Sequence, residues 1–95
     1  MDYKHEAESI LYEHTSAIMS SAHIEFDTNE DMFNFTNEEC GFILTKRLLE
    51  GKYTPMQYNA VRNELAEMLW SIFGPHIEAE SAQKMVDEFV KLFSI

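Results

Sequence analysis

Residues 26–39 read FDTNEDMFNFTNEE and carry the most suggestive spacing of ligand-type side chains in the chain. Asp27, Asn29, Asp31 and Glu38 occupy the first, third, fifth and twelfth positions of a twelve-residue stretch. A hard cation such as calcium takes ~7 oxygens at ~2.4 Å, and these are positions from which a loop would supply them. Two positions argue the other way. The sixth is Met32, where the sharp turn of such a loop calls for glycine, and the eighth is Asn34, where paired loops place an apolar residue.

With Phe26 just ahead of it and helical sequence on either side, the stretch resembles the EF-hand family over about 30 residues. The resemblance implies a calcium-responsive module with Asp27, Asn29, Asp31 and Glu38 as ligands. It stops at Met32 and Asn34, and the chain holds no second loop of the same form. The same residues also make sense without a metal. Thr28 can cap a short turn whose first positions, Asn29, Glu30 and Asp31, suit a helix N-terminus, with Met32, Phe33 and Phe35 tucked into the core. The expectation is a connector over 23–35, with no metal and no cofactor.

Other chemistry is sparse. His5, His14 and His23 are nine residues apart, so on one helix His14 faces away from the other two. His5 and His23 would lie ~27 Å apart at 1.5 Å per residue, too far to share a metal. His76 stands alone. His14 lies between Ile10 and Ile18 and reads as a half-buried histidine bonded to a neighbouring backbone group or carboxylate. Cys40, the single cysteine, excludes an internal disulfide and has apolar neighbours at Ile43 and Leu44. GxGxxG, GxxxxGK[ST], HExxH and CxxC are absent, and the serines at 9, 16, 20 and 21 lie in no nucleophile motif. No enzymatic activity is expected.

Charge is the stronger signal. Residues 1–45 carry ten Asp or Glu against Lys4 alone, a net of −9, while residues 46–95 carry seven acids against six bases, a net of −1. A surface of that sign repels nucleic acid and anionic lipid and attracts a basic partner. Lys46, Arg47 and Lys52 make a small basic cluster that complements the negative end of a helix.

The elements that must position these groups are helices. Tyr3, Ala7, Ile10, Leu11, His14, Ala17, Ile18 and Ala22 form one apolar stripe over 2–22. Thr36-Asn-Glu-Glu39 reads as the capping box of a second helix ending at Gly51. Thr54-Pro55-Met-Gln57 opens a third, with Tyr58, Val61, Leu65, Met68 and Ile72 along one side and Leu69 and Phe73 beside them, and Gly74-Pro75 ends it. A fourth runs over 78–93, with Ala82, Met85, Phe89, Leu92 and Phe93 inward. Residues 23–27 alternate briefly but have no partner strand. The fold class expected is all-α, a compact four-helix domain over 1–95 with a long acidic connection between helices 1 and 2. No apolar run approaches the ~18 residues of a membrane span, and the N-terminus lacks a signal-peptide pattern, so the cytoplasm is the expected compartment.

These readings point to a non-catalytic acidic protein-binding module. Glu6, Glu13, Glu25, Asp27, Glu30, Asp31, Glu38 and Glu39 would face a basic surface on a partner protein, one that normally holds nucleic acid, with Trp70 as an aromatic contact. The chain would bind no nucleic acid itself. In size and acidity it is similar to small phage-encoded inhibitors of host enzymes and defence systems, a likeness of composition with no motif behind it. Alternatives are the calcium-responsive module and a structural subunit, such as a homodimer, joined through Trp70, Tyr53, Tyr58, Phe33, Phe35 and Phe42.

Overall fold

Thr28, not Thr36, opens the second helix. Its hydroxyl accepts from the backbone N–H of Asp31 at 3.1 Å, and Glu30 and Asp31 fill the first turn. The buried positions then step Phe33, Thr36, Asn37, Cys40, Gly41, Leu44, a continuous helical stripe starting three residues before the expected cap. That stripe hides from a hydrophobicity reading because Thr36, Asn37 and Gly41 belong to it. Residues 29–35, expected in the connector, are therefore helical.

The computed structural model describes residues 1–20 and 25–95. Ala22, His23 and the start of the 23–27 alternation lie outside the described residues. Four helices follow in order: α1 (Tyr3–Ser20), α2 (Asn29–Leu49), α3 (Pro55–Phe73) and α4 (Ala79–Leu92), with a single 3-10 turn, Gly74–His76, before the last. The all-α, four-helix expectation holds. Among the described residues there is no strand, and no helix is long and apolar enough to cross a membrane.

Two of the expected stop and start signals form as written. Gly51 takes φ +79°, and the N–H groups of Gly51 and Lys52 return to the carbonyls of Leu48 and Arg47, closing α2 with a Schellman turn. The Thr54 and Gln57 side chains each accept from the other's backbone N–H, at 3.2 and 2.9 Å, and Pro55 sits at the first helical position.

α1 runs antiparallel to α2, which brings His14 to Thr36 and Glu6 to Arg47. α4 returns antiparallel to α3, ending where Arg62 meets Ser94. α2 and α3 both contact α1 and α4, and these flank the central pair in a slab about 20 Å thin and 37 Å long. The core is Ala7 and Ile10 from α1, Phe33, Cys40 and Leu44 from α2, Val61, Leu65 and Leu69 from α3, and Ala82, Val86 and Phe89 from α4.

Two helix faces are rotated from expectation. α3 buries Tyr58, Val61, Leu65, Leu69 and Phe73 as expected, but Arg62 and Ala66 join them, leaving Met68 half-buried and Ile72 exposed. α4 buries Ala82, Val86 and Phe89, leaving Leu92 exposed. Both helices touch more than one neighbour, so the buried arc centres between two seams rather than on the most hydrophobic row.

Gly41 decides how the end of α4 lies against α2. A Cβ there would come within 2.1–2.5 Å of the Phe93 ring, so the absence of a side chain lets that ring lie on the α2 backbone. Phe93 is packed in turn by Phe89 at 5.1 Å and Phe42 at 6.4 Å. Alanine at 41 gains up to about 1 kcal/mol of helix propensity but must expel the ring. Gly41→Ala is therefore expected to lower stability by about 1 kcal/mol in urea unfolding, and to raise it when introduced on Phe93→Ala. Stabilisation by Gly41→Ala with Phe93 present would contradict this account of the contact.

Candidate functional site

The basic end of α2 folds back on α1. The Arg47 guanidinium donates to Glu13 at 2.9 Å, Ser9 at 3.3 Å and Glu6 at 3.5 Å, and to the Tyr53 hydroxyl at 3.4 Å. Tyr53 in turn donates to Glu6 at 2.7 Å. Burial and the Glu6 hydrogen bond raise the Tyr53 pKa against the pull of Arg47, so the phenol keeps its proton and remains a donor. Burial works against the charge on Arg47, but hydrogen bonds with Tyr53 and Glu13 outweigh it and hold the guanidinium protonated. Lys46 and Lys52 both pair with Glu50.

This network corrects the sequence picture of one acidic face. Glu6 and Glu13 are ion-paired with Arg47 and are not free carboxylates. Glu39 is half-buried and close enough to influence His14, while Glu38 is exposed beside α4. That leaves Glu25, Asp27, Glu30 and Asp31, all exposed, at the end of the molecule where α2 begins.

Other elements reach the same end. The Asn29 side-chain amide donates to the His76 carbonyl at 3.2 Å, tying the start of α2 to the turn before α4. Glu78 and Glu80, at the start of α4, thereby join the pole. None of these six carboxylates forms one of the four ion pairs among the described residues, and all seven Lys and Arg are described. Arg47, Lys46 and Lys52 lie at the opposite end, and Arg62 is buried against Asn59, Asn63 and Ser94. Lys84 is the nearest base along α4.

The calcium reading fails on geometry. Asn29, Asp31 and Glu38 lie on a helix, not on a loop. Asn29 and Asp31 point ~200° apart, and Glu38 is two turns, ~10.5 Å, beyond Asp31, so they cannot wrap one ion. Among the described residues no three His, Cys, Asp or Glu gather in a way that could hold a metal.

His14 is buried rather than half-buried, and its partner is a hydroxyl from the next helix rather than a backbone group or a carboxylate. Only 3% exposed, it shares a hydrogen bond with the Thr36 hydroxyl at 3.1 Å, so the presumed cap of α2 instead ties two helices together. Phe35 packs on the His14 ring at 5.7 Å and Phe26 packs on Phe35 at 5.4 Å, anchoring the end of the connector. Cys40 is fully buried, and burial pushes its thiol up to about 12, far from a reactive thiolate.

Most of the aromatic side chains serve the interior. Of the six expected at a shared face, Phe33, Tyr53 and Tyr58 are buried, Phe35 and Trp70 are half-buried and Phe42 is exposed; Tyr12 on α1 is exposed as well. Trp70 is on the last turn of α3, near the acidic pole, but it sits in the α3–α4 seam with Ala66, Val86 and Val90. A residue that sequence reasoning missed is Asn37. Its side chain is more than nine-tenths buried, and Oδ1 has no hydrogen-bond partner. The helical stripe through Phe33 and Cys40 was the signal that places it inward. The chain matches no protein-family model, and no significant similarity links it to a curated protein or a solved structure.

Two outcomes follow from these contacts. Arg47→Met leaves half-buried Glu6 without its cation, held by the Tyr53 hydroxyl alone, and urea unfolding should show a loss of about 2 kcal/mol, against less than about 1 kcal/mol for Glu13→Gln. Burial lowers the His14 pKa below 6.5, with Glu39 partly opposing it. The unfolded chain therefore takes up the proton first as pH falls, so this contribution is full above 6.5 and lost as pH drops from there toward the folded value. Measured between about pH 7.5 and 5.5, His14→Gln should flatten the decline seen in the parent protein. Parallel slopes would rule the histidine out as its source.

Proposed function

We propose that the protein is a non-catalytic binding module that docks its acidic pole on a basic surface of a partner protein, as an inhibitor or adaptor. One observation carries the reading. Glu25, Asp27, Glu30, Asp31, Glu78 and Glu80 converge on one end from the connector and two helix starts, and no lysine or arginine pairs with any of them. Unpaired like charges repel one another and are kept together at a cost to the fold, a cost that a cationic partner reverses.

Glu30, Asp31 and Glu80 also offset the positive ends of α2 and α4, which is worth about 0.3–1 kcal/mol each at the surface. Glu78 is the N-cap residue of α4, although its side chain makes no capping hydrogen bond, so the helix starts account for four of the six carboxylates and leave Glu25 and Asp27. A basic surface that normally holds nucleic acid fits this charge. The inhibitor of a nucleic-acid-binding protein, acting as a nucleic-acid mimic in the manner of phage-encoded acidic proteins, is the sharper form of the proposal. Cys40 is buried and His14 is tethered to Thr36, so neither offers a reactive nucleophile or a free base, which supports the non-catalytic reading.

The test pairs two variants in capture from cell extract. One neutralises the pole (Glu25→Gln, Asp27→Asn, Glu30→Gln, Asp31→Asn), and the other removes equal charge elsewhere (Glu8→Gln, Glu64→Gln, Glu67→Gln, Asp87→Asn). The parent and the second variant should retain a common partner at about 0.1 M salt and release it near 1 M, where screening shortens to ~3 Å. The pole variant should retain at least about tenfold less. Equal retention by both variants, or retention indifferent to salt, removes the proposal.

A further inference from the structure

We infer that the groove between α2 and α4 takes an arginine side chain of the partner, with Asn37 and the carboxylates of Glu38 and Glu88 as its acceptors. This rests on the reading of the protein as a binder of basic surfaces and adds the place where one anchoring residue enters. The groove has a volume of about 240 Å³ and is lined by Asn34, Asn37 and Glu38 from α2 and by Met85, Glu88 and Phe89 from α4, with Leu92 and Phe93 at the end. Drug-sized ligands occupy ~300–1,000 Å³, so a space of this size suits one long side chain rather than a free organic molecule.

Three features define the occupant. The first is the orphan acceptor. An amide oxygen kept from water without a partner costs about 1–3 kcal/mol, and the side chain that carries it lines this groove. Oδ1 itself is closed to solvent, so a donor entering the groove recovers part of that cost once the amide turns to meet it. The second is charge. Glu38 and Glu88 line the groove with no lysine or arginine between them, and neither forms an ion pair among the described residues. Lys84 and Lys91 lie a turn to either side of Glu88 on α4, yet neither reaches within the 4.0 Å of an ion pair.

The third is the wall. Met85, Phe89, Leu92 and Phe93 give an apolar surface for a long alkyl stem, and Phe93 holds its position because Gly41 leaves it room. Leu92 is 74% exposed and Phe42, beside Phe93, is 54% exposed, so the apolar surface continues outside the groove without a cover in the monomer. A guanidinium suits this combination better than an ammonium. It is flat enough to lie on Phe89 or Phe93, and its N–H donors diverge toward several acceptors at once.

The experiment is an NMR titration of the whole chain with N-acetylarginine amide, with the lysine and citrulline amides as comparisons. The arginine probe should give saturable shifts at the Asn37 side-chain amide and the Met85 methyl. Citrulline, the uncharged isostere, and the lysine probe should bind at least about fivefold more weakly. Asn37→Leu and, separately, Glu88→Gln should each weaken arginine binding by about fivefold. Glu88 is exposed, so its variant carries the test if Asn37→Leu does not fold. The pole-neutralised variant should bind the probe as the parent does, which separates failure of the groove from failure of the pole. Absence of saturable shifts, unchanged binding in Glu88→Gln, or equal binding of the citrulline or lysine probe overturns the assignment.

Discussion

Arg47 is the contact on which the distribution of charge depends. One guanidinium, 14% exposed, gathers Glu6, Ser9, Glu13 and Tyr53 and so ties the first half of α1 and the connection before α3 to the end of α2. Because α1 is held antiparallel at that end, the other ends of α1 and α2 are held together as well, where His14 meets Thr36. The same contact neutralises carboxylates at one end of the slab and leaves the opposite end with nothing to cancel it. A net charge of −10 spread evenly would only keep the chain soluble, whereas a polarised one has a direction.

Polarity inside the protein follows a similar logic. α2 is one of the two central helices, and its buried face includes Thr36 and Asn37. Thr36 is satisfied by His14, whereas the Asn37 oxygen is not satisfied at all. A buried polar group with a partner fixes the register between helices. One without a partner is a standing cost, and its persistence against a groove walled by acids and apolar side chains draws attention to what else could complete it. Arg62 shows the alternative solution, a buried charge surrounded by Asn59, Asn63 and Ser94 rather than by a carboxylate, which latches the chain end onto α3.

The local signals were legible where they act within a few residues. Gly51 ends a helix because only its backbone takes φ +79° without strain, and Thr54 with Gln57 starts one because their bonds close within a single turn. The same kind of signal misled at Thr36, where a well-formed capping-box pattern lies in the middle of a helix. Thr28 also had a suitable cap pattern, and local sequence does not rank two such starts. The choice came from burial, since extending the helix back to Asn29 places Phe33 in the core.

The sequence by itself determined the helical class, the number of helices, most of their ends and the acidic bias of the front half, because propensity, capping and periodicity act over a few residues. Tertiary structure decided which acids remain free. Glu6 and Glu13 look no different in the sequence from Glu30 and Asp31, and only the return of Arg47 across 34 and 41 residues separates them. It also dissolved the calcium spacing, since the same side chains that would surround an ion from a loop point away from one another on a helix.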